Sequence, residues 1–295
     1  MNPPRTHPIT AALLLFAALT GTGATAGADD TPAPAPAPVT AAPAIAYTGK
    51  IVSSSGTLPE KAAISAECEG ATEAIAGRIE ADTYHLDLPP AVRCTVVLGA
   101  TAWEADRQPV FDAATAIPQT MLIYPLPVAL PDIARELIEM GAQDRAARQA
   151  WAAGQRDAAS QKKMVAGDRK RQRRLRQIIT TKGWPMMSTV GAAAANEAWL
   201  LAQHAPPAQL KHWSVFMRVA ANKHEIRLSN LATTLDRVRM IEKRPQIYGT
   251  QYSTREDGAI QFYPIEDIAR IDQRRLEMGL STFAHLKTQL AQPVN

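Results

Sequence analysis

Two cysteines, Cys68 and Cys94, are all that the 295 residues contain, and aromatic side chains make up only 5% of the chain. The pair is too few for a thiolate metal cluster. If the two sulfurs are joined to each other, no thiol nucleophile is left. Familiar catalytic signatures are missing as well: there is no G-x-S-x-G, no H-E-x-x-H, no phosphate-cradling glycine loop and no dinucleotide fingerprint. Of the six histidines, His204, His212 and His224 together with Asp236 could be imagined around a metal. They lack the H-x-x-H or H-x-x-x-H spacing that places two ligands on one helix face, so no metal and no cofactor is expected. No apolar run after the N-terminus is long enough to span a bilayer.

What is present divides the chain. Residues 1–130 carry 6 basic and 12 acidic side chains, a net of −6, whereas the remainder carries 26 and 16, a net of +10. This split suggests two structural units with different surfaces. Residues 1–28 read as an export signal: Arg5 gives a basic start, Ile9 to Leu19 an apolar core, and Ala24-Thr25-Ala26 or Ala26-Gly27-Ala28 a small-residue cleavage site. A periplasmic or secreted protein is expected, with no transmembrane anchor after leader removal. Residues 29–46 alternate proline with alanine and read as an extended spacer.

From 47 to 129 the texture is β, with short alternating runs such as Ile64–Cys68 and Tyr84–Leu88 punctuated by glycine. Gly77–Pro90 weakly resembles the strand-turn pattern of carboxypeptidase-regulatory-like and transthyretin-like sandwiches. In an oxidising compartment Cys68 and Cys94 are expected to pair, a bridge worth about 3 kcal/mol by loop entropy. Residues 130–295 read as helical. Ile133, Leu137, Met140, Asp144, Arg148 and Trp151 fall on one stripe, and Asp168 follows Met164 by four, so charged groups point the same way as core residues. Val165 is placed inward on the same helix. One helix is predicted over 189–204, with His204 facing inward at its end. Gln246–Tyr252 reads as a polar strand interrupted by Gly249, turning into a hairpin near 246–263. The fold class is therefore α+β, a small antiparallel β-sandwich followed by a mainly helical domain with one β-hairpin. The basic run from Lys162 to Arg176 reads as a solvated helix face; without interleaved aromatics, and in an exported protein, nucleic acid is not an expected partner.

Met140-x3-Asp144-x3-Arg148, Gly183-Trp184-Pro185, Gln203-His204-Ala205, Leu235-Asp236-Arg237, Gln246-x-Tyr248-Gly249-Thr250-Gln251 and Asp272-x2-Arg275-x3-Gly279-Leu280 occur in that order. Together they resemble a bacterial family of uncharacterised domains over residues 135–290. Pro206 stands where that family continues into aspartate. The resemblance implies a set of residues and no activity.

Three readings of that set follow. In the first, an envelope hydrolase or lyase uses His204 with Asp236 or Asp144 as an acid/base pair alongside Tyr248. Arg148, Arg237 or Arg275 would then hold an anionic group, and Trp184, Gln203, Gln246 and Gln251 would complete the substrate site. In the second, a binding module grips an anionic envelope polymer or an envelope protein. In the third, the polar groups form a packing network and satisfy one another.

Overall fold

The computed structural model describes residues 42–153, 157–255 and 257–291. The predicted leader and most of the Pro/Ala spacer lie outside the described residues. The first strand, β1 (Ile45–Ser53), begins within the last residues assigned to that spacer.

Among the described residues nine short strands follow one another through the N-terminal region: β1, β2 (Ala63–Cys68), β3 (Ile75–Ala76), β4 (Arg78–Glu80), β5 (Thr83–Leu88), β6 (Cys94–Gly99), β7 (Trp103–Ala105), β8 (Gln108–Val110) and β9 (Met121–Pro125). They form a five-stranded sheet in the order β4-β5-β1-β9-β7 and a four-stranded sheet in the order β3-β2-β6-β8. All neighbours are antiparallel except β1 and β9, which run parallel. Alternation explains the burial. Ile64 and Ala66 on β2, Tyr84, Leu86 and Leu88 on β5, and Cys94, Val96 and Leu98 on β6 all point into one shared core. Cys68 and Cys94 sit directly opposite each other on β2 and β6 and are joined by a disulfide.

β9 departs from this alternation. Met121, Leu122, Ile123 and Tyr124 are all buried, because the strand has a core on each face. Met121 and Ile123 pack between the sheets, while Leu122 and Tyr124 pack into the helical core. A strand with both faces buried has no polar side to present.

The helical region comprises α1 (Pro131–Ala153), α2 (Ala158–Lys182), α3 (Met187–Val190), α4 (Ala192–Gln203), α5 (Pro207–Asn222), α6 (Leu228–Ile241), α7 (Ile271–Glu277) and α8 (Phe283–Ala291), with a hairpin of β10 (Tyr252–Thr254) and β11 (Ile260–Phe262) between α6 and α7. α1 buries Ala134, Leu137, Met140, Gly141, Asp144 and Arg148, the stripe its spacing predicts. α2 is capped by the Asp157 carboxylate at its start and stops at Gly183, whose φ of 81° suits glycine. On α2 Val165 is exposed rather than inward.

The helix expected over 189–204 is two helices. Gly191, at φ 85°, breaks the run between α3 and α4. The break is fixed from outside, since the Ala192 N–H donates to the Tyr124 hydroxyl of β9 at 2.7 Å. Glu225 holds α3 by accepting from Ser188 N at 2.8 Å and Ser188 Oγ at 2.5 Å. A second tie between the regions is the pair Asp106–Arg227, two bonds of 2.5 and 2.6 Å with the carboxylate buried. Among the described residues no helix is long and apolar enough to cross a membrane.

Tyr124→Phe keeps the ring in the core but strands the first N–H of α4. A loss of about 1–2 kcal/mol is expected, read as a lower urea midpoint at unchanged slope. Unaltered stability would mean the hydroxyl is not the cap.

Candidate functional site

A buried charge must find its counter-charge or hydrogen-bond partners nearby, and the charged residues singled out from sequence do this at two places in the helical region. The first lies where α1, α2 and the end of α4 meet. Asp144 is 1% exposed at its side chain. It accepts from Arg148 Nε at 3.0 Å and Nη2 at 3.3 Å, and from Arg171 Nη2 at 3.2 Å. Asp168 accepts from Arg148 Nη2 at 3.0 Å and from Arg171 Nη2 at 2.6 Å. Two carboxylates thus face two guanidinium groups, and the array is neutral.

His204 closes it. The residue ends α4, its carbonyl accepts from Gln172 Nε2, and its ring Nδ1 lies 3.1 Å from both Asp144 Oδ2 and Arg148 Nε. Arg148 Nε already donates to the charged carboxylate, a better acceptor than a neutral ring nitrogen, so we assign the imidazole proton to Nδ1, donating to Asp144. Nε2 is then the lone-pair nitrogen. It has no protein partner among the described residues, and 16% of the side chain remains exposed.

Burial alone would raise the Asp144 carboxyl. The hydrogen bond from His204 and the Arg148 guanidinium outweigh that and hold it well below the usual carboxylate range. Burial raises Asp168, with the neighbouring Asp144 adding to it against the pull of Arg148. Burial lowers His204, which favours the neutral ring.

The second place is the loop between α6 and the hairpin. Gln246–Gln251 is no strand, although Gln246 bridges to Ile265. Its backbone is satisfied by side chains. Asp236, fully buried on α6, accepts from Ile247 N at 2.7 Å, Tyr248 N at 3.1 Å, Thr250 N at 3.0 Å and Thr250 Oγ1 at 2.9 Å. Burial pushes its carboxyl up while these donors pull it back. Arg274 Nε takes the Ile247 carbonyl at 2.9 Å and Arg275 Nη1 the Tyr248 carbonyl at 2.7 Å. The Gln246 amide binds Gln251 N and O and the Tyr263 carbonyl, all within 2.9 Å. Gly249 adopts φ 66°, and a Cβ there would meet Phe283 at 2.9 Å and Ile271 at 3.0 Å, so the turn admits glycine alone.

The residues singled out from sequence therefore separate. Asp144, Arg148, Asp168 and His204 come together, joined by Arg171, which sequence reasoning missed. Asp236, Gln246, Tyr248 and Arg275 belong to the loop. The Asp236 oxygens are engaged there and not by His204, and Arg275 is 2% exposed and spans the carbonyls of Tyr248 and Ser281. Arg237 links the two places, donating from Nη1 to the Gln203 carbonyl at 2.7 Å and from Nε to Gln251 Oε1 at 3.1 Å. Gln203 also donates to Thr234 Oγ1 at 2.8 Å. Trp184 is buried in the helical core, apart from both. Among the described residues no cluster of three or more histidine, cysteine or acidic side chains could hold a metal, so His204, His212, His224 and Asp236 do not converge on one. Two cavities lie elsewhere. One of about 120 Å³ sits between the β region and α7–α8, lined by Phe111, Gln119 and His285. The other is an open groove of about 660 Å³ between α2 and α5, lined by Arg176, His212, Trp213 and Phe216.

Two outcomes test this description. Asp236→Asn presents one acceptor oxygen where four donors need a carboxylate. A loss of about 2–4 kcal/mol is expected, with faster amide exchange at Ile247, Tyr248 and Thr250; unchanged exchange would refute the loop's dependence on the charge. For His204 the folded-state pKa lies below the ordinary 6.5, so the unfolded chain takes up its proton first on acidification. Its stabilisation is complete above about pH 6.5 and declines as pH falls below that. Urea unfolding from neutral pH downward should lose stability more steeply in the wild type than in His204→Asn, and parallel curves would contradict the assignment.

No curated protein and no solved structure matches the chain. The pattern of one family does match, over residues 131–291, which is α1 through α8 and everything described above as the site. The chain belongs to this family of unknown function (DUF6624).

Proposed function

We propose that the helical region carries a hydrolytic acid/base site in which His204 is the base and Asp144 its orienting carboxylate. The observation that carries this reading is the 3.1 Å contact of His204 Nδ1 with Asp144 Oδ2, behind a ring whose Nε2 is open. A carboxylate on one ring nitrogen fixes the tautomer and stabilises the imidazolium that forms when the other nitrogen accepts a proton. Both cysteines are in the disulfide, so no thiol is free to attack, and in this reading water is the nucleophile. Nε2 removes its proton, the oxygen attacks the substrate, and the imidazolium returns the proton to the leaving group. Asp236 and Tyr248 have no part in this chemistry. Their place is the loop.

We further propose that the ordered motifs are those of the family and that the protein acts in the periplasm or outside the cell on an envelope component. The leader-like N-terminus and the Cys68–Cys94 bridge support export.

A second reading, a non-catalytic binding module, is favoured by the groove between α2 and α5. On α2, N-terminal to the groove's Arg176, the residues Lys162, Lys163, Arg169, Lys170 and Arg173 are exposed, and Val215 and Val219 are exposed on α5. That face would suit an anionic polymer or an acidic partner protein, and the Asp144 array would then be structural.

Purified protein incubated with envelope fractions, with products followed by mass spectrometry, separates the two. Hydrolysis that drops by about 10²–10⁴-fold in a folded His204→Asn variant, and persists in Tyr248→Phe, is the expected result. Equal product from wild type and His204→Asn would end the catalytic reading.

A further inference from the structure

Three arginines of the site were candidates for holding an anion, and two of them are consumed. Arg148 is neutralised by Asp144 and Asp168. Arg275 is sealed from solvent, with its guanidinium spent on the carbonyls of Ser281 and Tyr248. Arg237 differs from Arg148 in its acceptors and from Arg275 in its exposure. Among the described residues no carboxylate lies within ion-pair distance of it, and its acceptors, the Gln203 carbonyl and Gln251 Oε1, are neutral.

Those two bonds use Nε and one hydrogen of Nη1. Among the described residues Nη2 has no acceptor, and it is not sealed in the core, since Arg237 is half-buried and keeps contact with solvent. A partly desolvated guanidinium with a free edge favours an oxyanion, which supplies the missing counter-charge.

The position of this edge matters. Gln203, whose carbonyl fixes Arg237 Nη1, is the residue before His204. Gln251, which fixes Nε, is hydrogen-bonded through its backbone to Tyr263 N at 3.3 Å, placing Tyr263 beside the same guanidinium. Burial and the nearby Arg148 charge both act against the Arg237 cation, and a bound anion would relieve both. His204 feels the Arg237 charge as well.

We propose that Arg237 Nη2 is an oxyanion subsite on the His204 side of the loop, so the substrate carries a carboxylate or phosphate group near the bond that is cleaved. This rests on the hydrolytic reading for the word substrate, though not for the binding itself. Gln203 and Gln251 are positioning residues: by engaging Nε and Nη1 they turn the remaining edge outward. Since Nε is occupied, the side-on Nε/Nη2 fork is not available, and the anion is held at the Nη2 end of the guanidinium.

The test is direct binding without turnover. Acetate and inorganic phosphate are titrated separately into the full chain, at constant ionic strength against chloride, and followed by amide and arginine side-chain NMR shifts. Saturable shifts at Arg237 are expected with at least one of the two probes, and which probe binds identifies the group. Arg237→Gln should weaken that binding by about tenfold or more, the loss of one charge-assisted hydrogen bond. Arg237→Lys should retain part of it, and His204→Asn should bind as the wild type does. If Arg237→Gln does not fold, Arg237→Lys and Gln251→Ala carry the comparison, since each disturbs the edge and leaves the Asp144 array intact. Shifts that fail to saturate, or that persist unchanged in the Arg237 variants, overturn the subsite. Anion binding at Arg237 with no hydrolysis would refute the catalytic reading alone, whereas hydrolysis insensitive to Arg237 substitution, with no anion binding, would refute the subsite alone.

Discussion

The helical region depends on placing full negative charges where water does not reach. A carboxylate in a low-dielectric interior is tolerated only when its oxygens are met by donors of fixed position. Asp144 meets that condition with two arginines and a histidine drawn from α1, α2 and the end of α4. Asp236 meets it with backbone N–H groups of a loop. Each solution dictates geometry beyond itself. The first fixes how three helices meet, and the second fixes the course of a segment that has no strand partner.

The two carboxylates represent different uses of the same cost. Around Asp144 the counter-charges are side chains, so protonation at His204 can be transmitted to a neighbour by a small shift in hydrogen bonding. Around Asp236 the partners are main-chain amides and one hydroxyl, that of Thr250, none of which titrates in the working range. That contrast is why the former suits proton transfer and the latter suits scaffolding. Arg237 stands between them and is oriented by both, through the residue preceding His204 and through the last residue of the loop.

Much of this architecture was readable in the sequence. The stripe running from Ile133 to Arg148 placed Asp144 and Arg148 on the core side of α1, and the spacing from Met164 did the same for Asp168, because helical periodicity fixes side-chain direction. The cysteine pairing followed from there being only two. Arg171 went unnoticed although it lies three residues after Asp168 and four before Leu175; it is surrounded by other basic residues, and the run looked like a single solvated face. Gln246–Tyr252 has the alternation of a strand, yet its hydrogen bonds go to Asp236, Arg274 and Arg275, partners that only tertiary structure supplies. Nor does its alternation show that Asp236 accepts from its backbone rather than facing His204. The split at Gly191 was hidden by flanking alanines, whose helix propensity says nothing about a hydroxyl arriving from β9.

β9 carries a consequence for how such chains are assembled. Its residues Leu122 and Tyr124 complete the helical core, while Met121 and Ile123 complete the sandwich. The stretch that defines the family begins only after this strand. The unit inherited and the unit that closes its own interior are therefore not the same length. Any relative that shares the helices alone must bring another apolar surface to lie where this strand lies, and the identity of that borrowed surface is free to differ from one architecture to the next.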